Sequence, residues 1–149
     1  MRLRLPLIAV YVGAALALSQ ECHAQSLAQS EIAFHALYTM DSSNNLEFIN
    51  IISDDARFET FDSDSGKVSN GALSLASGKQ ILKAVSDCRF YAMHRTFHAS
   101  PKPNEWGILL VWNCPGDRGQ QNMTLDFVGD KLTMMGLGLP VLETTPRGK

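Results

Sequence analysis

The chain has 149 residues, with 13 Lys+Arg against 15 Asp+Glu, a formal net charge of −2 and 45% hydrophobic residues. That length fits one domain of ordinary size. The charges are spread without a basic stripe to neutralise phosphates, which excludes nucleic-acid binding as a main role.

The amino terminus reads as a secretory signal peptide over residues 1–24. Met1-Arg2-Leu3-Arg4 is cationic, Leu5 to Leu18 is almost wholly apolar, and Cys22-His23-Ala24 ends on a small residue, with cleavage before Gln25. The apolar run is short for a bilayer span, and no later segment is long enough, so no stable membrane insertion is expected after cleavage. A lipid anchor at Cys22 is disfavoured by Ser19-Gln20-Glu21, which places a large amide and a charge where small or aliphatic residues are wanted. The protein is therefore expected to be exported, periplasmic or secreted, with one domain over 25–140 and a flexible tail over 141–149. Removing Arg2, Arg4 and Glu21 leaves 11 basic and 14 acidic residues, a net charge of −3.

Ser26 to Met40 has helical periodicity, with Ile32, Ala33, Ala36, Leu37 and Met40 on one face. Asp41 to Asn45 is a stop and N-cap cluster. A second, short helix then carries Leu46, Phe48, Ile49 and Ile52 and closes at Ser53-Asp54-Asp55. Ala56 to Phe61 alternates as a strand, Asp62 to Gly66 is a turn, and Lys67 to Ala76 holds another short extended piece. Ser77 to Gln80 has the spacing of a capping box, opening a short helix buried through Ile81, Leu82 and Val85.

From Cys88 onward the pattern is β. Cys88 to His98 and Trp106 to Asn113 are strands joined by the turn-rich segment around Pro101. Met123 to Val128 and Lys131 to Leu137 form a hairpin about Gly129-Asp130. With Cys22 lost, Cys88 and Cys114 remain, and in an oxidising compartment two cysteines form one bridge. A turn centred on Pro101 sets Cys88 opposite Cys114, Phe90 opposite Trp112, Ala92 opposite Leu110, His94 opposite Ile108 and Thr96 opposite Trp106. A one-residue slip would turn Arg89 and Arg95 onto the same face, so the apolar register is the expected one. Asn122-Met123-Thr124 has the form of a glycosylation sequon, which matters only in a eukaryotic secretory pathway.

Leu46 to Glu59 (LEFINIISDDARFE), Gly78-Lys79-Gln80-Ile81, Val111-Trp112-Asn113 and Phe127 to Thr133 (FVGDKLT) resemble the nuclear transport factor 2-like superfamily, which includes ketosteroid isomerase and the SnoaL-like polyketide cyclases. The resemblance implies an α+β fold: a curved antiparallel sheet wrapped on a long N-terminal helix with two short helices, a cone-shaped barrel with an apolar pocket. It carries little catalytic apparatus across. The isomerase general base falls on Thr60, its oxyanion-binding acid on Met123, and its first-helix tyrosine near Ala36, two residues from Tyr38.

On that reading Phe90, Trp106, Ile108, Leu110, Trp112, Met123 and Met135 line a ligand pocket, or more simply a core. His94 shares their face, where an imidazole would serve as general acid or base near neutral pH, with the Tyr38 phenol as its partner. The alternative for His94 is an imidazole satisfied by backbone or placed at the rim. His94 with His98 finds no third ligand for a metal, so no metal and no cofactor are expected. The leading expectation is a homodimeric exported protein that binds a small hydrophobic molecule. Its rivals are a lyase, isomerase or cyclase using His94 with Tyr38, and a non-catalytic dimerisation module.

Overall fold

The computed structural model describes residues 28–62, 65–96 and 103–138. The signal segment, the tail, the turn about Pro101 and His98 lie outside them. Helix α1 covers residues 28–42. It is followed by α2 (Asn45–Ile51), β1 (Ile52–Asp62), β2 (Lys67–Ala72), α3 (Leu75–Ala84), β3 (Arg89–Thr96), β4 (Glu105–Asn113), a 3₁₀ turn (Gly116–Arg118), β5 (Gln120–Val128) and β6 (Lys131–Leu137).

The six strands form one curved sheet in the order β2-β1-β6-β5-β4-β3, with the helices packed on it. This is the expected α+β class, with two corrections. The sheet is mixed rather than antiparallel, because β1 pairs β6 in parallel. It is also unclosed, with β2 and β3 at its two edges.

The helix-facing side of the sheet is sealed by alternating strand residues. Ile108 and Leu110 on β4, Met123, Leu125 and Phe127 on β5, and Leu132 and Met135 on β6 are all essentially inaccessible. Against them α1 buries Ala33, Ala36, Leu37 and Met40, the stripe its periodicity sets. Gly78 lets α3 lie close to α1, since a Cβ there would stand 2.5 Å from the Met40 Sδ.

Three local expectations are revised. The cap of α3 is one turn earlier. Ser74 accepts from the Ser77 backbone N–H at 3.2 Å while the Ser77 hydroxyl accepts from the Ser74 N–H at 2.8 Å. The box is thus a serine pair, not serine with glutamine. Helix α2 buries only Phe48, leaving Leu46 and Ile49 exposed, and Ile52 already belongs to β1. Asp54 and Asp55 therefore sit in a strand, inside an irregularity where β1 runs from Ile52 to Arg57 while β6 advances only from Leu132 to Met134. The extra length bulges outward and leaves both aspartates exposed.

The disulfide between Cys88 and Cys114 is present, with Cα atoms 4.2 Å apart. Beside it the expected register holds for Arg89 with Asn113 and Phe90 with Trp112, then shifts between Phe90 and Ala92. Beyond the shift Met93 faces Leu110, His94 faces Leu109 and Arg95 faces Ile108. A bulge is cheap here because β3 is an edge strand. Met93 covers more apolar surface than Ala92 would, and Arg95 stays exposed at the sheet margin.

Candidate functional site: the cleft between helix α3 and strand β1

Most of the residues expected to line a pocket are core instead. Ile108, Leu110, Met123 and Met135 are buried among one another. Trp106 stacks on Phe127 with ring centroids 4.2 Å apart, and its Nε1 donates to the Gly129 carbonyl at 2.7 Å, pinning the β5–β6 turn. Phe90, 46% exposed, packs edge-on to Trp112 and to Phe34 of α1.

The expected proton-transfer pair is not assembled. The bulge turns His94 to the outer sheet face beside Leu109, where it is exposed, and Tyr38 is 70% exposed on α1. Among the described residues no group of three or more His, Cys, Asp or Glu gathers to hold a metal.

A cavity of about 730 Å³ lies elsewhere, between α3, the end of β1, β2 and the segment that follows Cys114. Its apolar floor is Phe58, Phe61, Ile81, Ala84 and Leu137. The helical wall follows from spacing: residues 77, 80, 81 and 84 recur at intervals of three and four, so one stripe of α3 faces the space while Gly78 faces α1. The Phe58 ring lies over Gly71, the strand partner with no side chain to displace it.

The rim is polar and mostly neutral. Thr60 projects from β1, Gln80 from α3 and Gln121 from β5, offering a hydroxyl and two carboxamides. Thr60 is the position the resemblance matched to an isomerase base, so that position does line the cleft, as a group that cannot take a proton at neutral pH. Asp62, Asp117 and Arg118 complete the mouth. Arg118 makes two exposed contacts: Nη1 donates to the Ala84 carbonyl at 3.2 Å and Nη2 to the Asp87 carboxylate. That hydrogen bond keeps the Asp87 carboxyl below the usual carboxylate range, and Asp87 in turn raises Arg118.

Sequence reasoning missed Gln80, Gln121 and Arg118. The usable signal was the run of small and polar residues Ser77, Gln80 and Ala84 along one stripe of α3. The segment from Pro115 to Gln121 gave none, since its composition is that of any surface loop.

With this geometry in hand, the class of protein is an α+β domain with a helix-lined cleft at one end of a curved sheet. Its neighbours among solved structures include two nuclear transport factor 2-like proteins and a designed protein. One from Cytophaga hutchinsonii is 8% identical, covering 78% of this chain and 98% of its own at a TM-score of 0.42. A second from the same organism, of unknown function, is 6% identical, covering 72% and 86% at 0.41. A designed protein from work on diverse pocket structures is 8% identical, covering 73% and 96% at 0.43. No family profile and no curated protein matches the chain.

Proposed function

We propose that this is an exported single-domain protein that binds a small molecule in the cleft between α3 and β1. The observation that carries the reading is a cavity of about 730 Å³, of a size that holds metabolite-like ligands, with an apolar floor and a polar rim in which Thr60, Gln80 and Gln121 sit beside Asp62, Asp117 and Arg118. Such a lining suits a ligand with an apolar body and uncharged polar substituents. A wholly apolar ligand would strip water from the Thr60 hydroxyl and the Gln80 carboxamide without replacing its hydrogen bonds. The reading uses neither His94 nor Tyr38, because both lie away from this space.

Export is supported by the signal-like pattern of residues 1–24 and by the Cys88–Cys114 bridge. Amino-terminal sequencing of protein recovered outside the cytoplasm should begin at Gln25.

Binding is tested by screening neutral amphiphiles with an apolar ring or chain by thermal shift, then mapping hits by amide chemical shifts. Hits should perturb residues 58–62, 77–84 and 117–121 and be lost in Ala84→Trp, which fills the cleft. Hits that map to the Phe90 region, or that survive the filled cleft, would reject the assignment.

A further inference from the structure

We propose that the Cys88–Cys114 disulfide is a redox latch on this cleft, holding the wall formed by the segment after Cys114. The consequence for ligand uptake rests on the binding reading above; the mechanical claim does not.

Asp117 and Arg118 form that wall and belong to no strand. Internal contacts give the segment its shape: the Cys114 N–H donates to the Gly119 carbonyl at 2.9 Å, and Gln121 Nε2 to the Arg118 carbonyl at 3.1 Å. Those bonds do not tie it to α3. Among the described residues, the segment is closed at its base by the Asn113–Gln120 pairing, and its links to residues 84–88 are the disulfide and the two arms of the Arg118 guanidinium, to Ala84 and Asp87. The guanidinium links are solvent-exposed and salt-screened, so they hold position weakly. The covalent link fixes the separation, and Ala84, which receives one arm, is itself cleft lining.

Both cysteines are partly exposed, so a reductant can reach them. A dithiol reductant supplies two electrons and two protons. The Cys88–Cys114 S–S bond breaks, both sulfurs become thiols, and the two sulfurs of the reductant join in a new disulfide. The sheet does not depend on the bridge, because the β3–β4 ladder is already paired at Arg89–Asn113 and Phe90–Trp112. Reduction should therefore release the wall without unfolding the domain.

The experiment compares the protein before and after treatment with dithiothreitol by limited trypsin digestion, reading cleavage after Arg118, with far-UV circular dichroism as a control. Cleavage should rise at least tenfold with the dichroism unchanged, and a Cys88→Ser/Cys114→Ser double variant should match the reduced protein. The same cleavage rate in both states overturns the latch. So does global loss of dichroism on reduction, which would make the bridge a staple of the whole fold. Nile red binding that Ala84→Trp abolishes should weaken at least fivefold on reduction. If the oxidised protein binds no dye, the cleft reading suffers, while the digestion still decides the latch.

Discussion

The two ends of the sheet solve the same problem in opposite ways. Along β4, β5 and β6 each helix-facing position carries a side chain long enough to meet its neighbours, so Ile108, Leu110, Met123 and Met135 close the interior. At the β1 end the facing residues are Phe58 and Thr60, and α3 presents Ser77, Gln80 and Ala84 to them, which leaves the space between unfilled. Curvature of the sheet makes room under both ends. At one end the helix-facing side chains meet across the interface, and at the other they line an open space.

Substitutions break or sharpen that contrast. The largest effect is expected at the sealed end: Leu110→Ala should lose about 2–5 kcal/mol in denaturant unfolding, because a rigid core leaves a cavity. Gln80→Ala at the open end should change stability by no more than about 0.5 kcal/mol, so a loss near that of Leu110→Ala would show the cleft to be core after all. Gly138→Ala comes next. Its φ is +72°, and a Cβ would run into the Phe61 carbonyl oxygen. A loss of roughly 1–3 kcal/mol is expected, together with displaced amide shifts at Phe61 and Leu137 in the cleft floor.

Trp106→Phe keeps the stack on Phe127 and removes the bond to Gly129, so it should cost about 1 kcal/mol and speed amide exchange in the β5–β6 turn. A smaller effect follows from the Asp87–Arg118 pair. Because the folded carboxyl is held below its ordinary value of 3.8, its contribution is fully present above that pH and is lost as pH falls through the depressed value. Asp87→Asn should therefore lower stability slightly at neutral pH and leave it unchanged once the pH has fallen below the depressed value, which flattens the acid limb. Smallest of all, His94→Ala should leave stability within about 0.5 kcal/mol, as its exposed position implies.

Periodic apolar residues made much of the fold readable in advance. The α1 stripe, the alternation along β4, β5 and β6, and the pairing of Cys88 with Cys114 all follow from burial acting on one face. What burial does not police was harder to read. Tyr91 slips out as a bulge because an edge strand tolerates it, and that single displacement carries His94 to the other side of the sheet. The serine pair capping α3 lacks the glutamate or glutamine that usually marks such a start. The cleft was the least legible part, since its rim joins Thr60, Gln80 and Gln121, polar residues from separate elements whose proximity is a property of the tertiary fold. The superfamily resemblance did mark one of them, Thr60, while saying nothing about the others.

The parallel pairing of β1 with β6 has a consequence for how the molecule is made. In the strand order, β6 is the seam between the β2–β1 pair and the β5–β4–β3 hairpins, yet among the described residues it is the last strand in the chain. Until residues 131–137 emerge the two halves have no ladder in common, and joining them closes a long stretch of chain at an entropic cost. A chain of this topology joins its two half-sheets only once residues 131–137 are available.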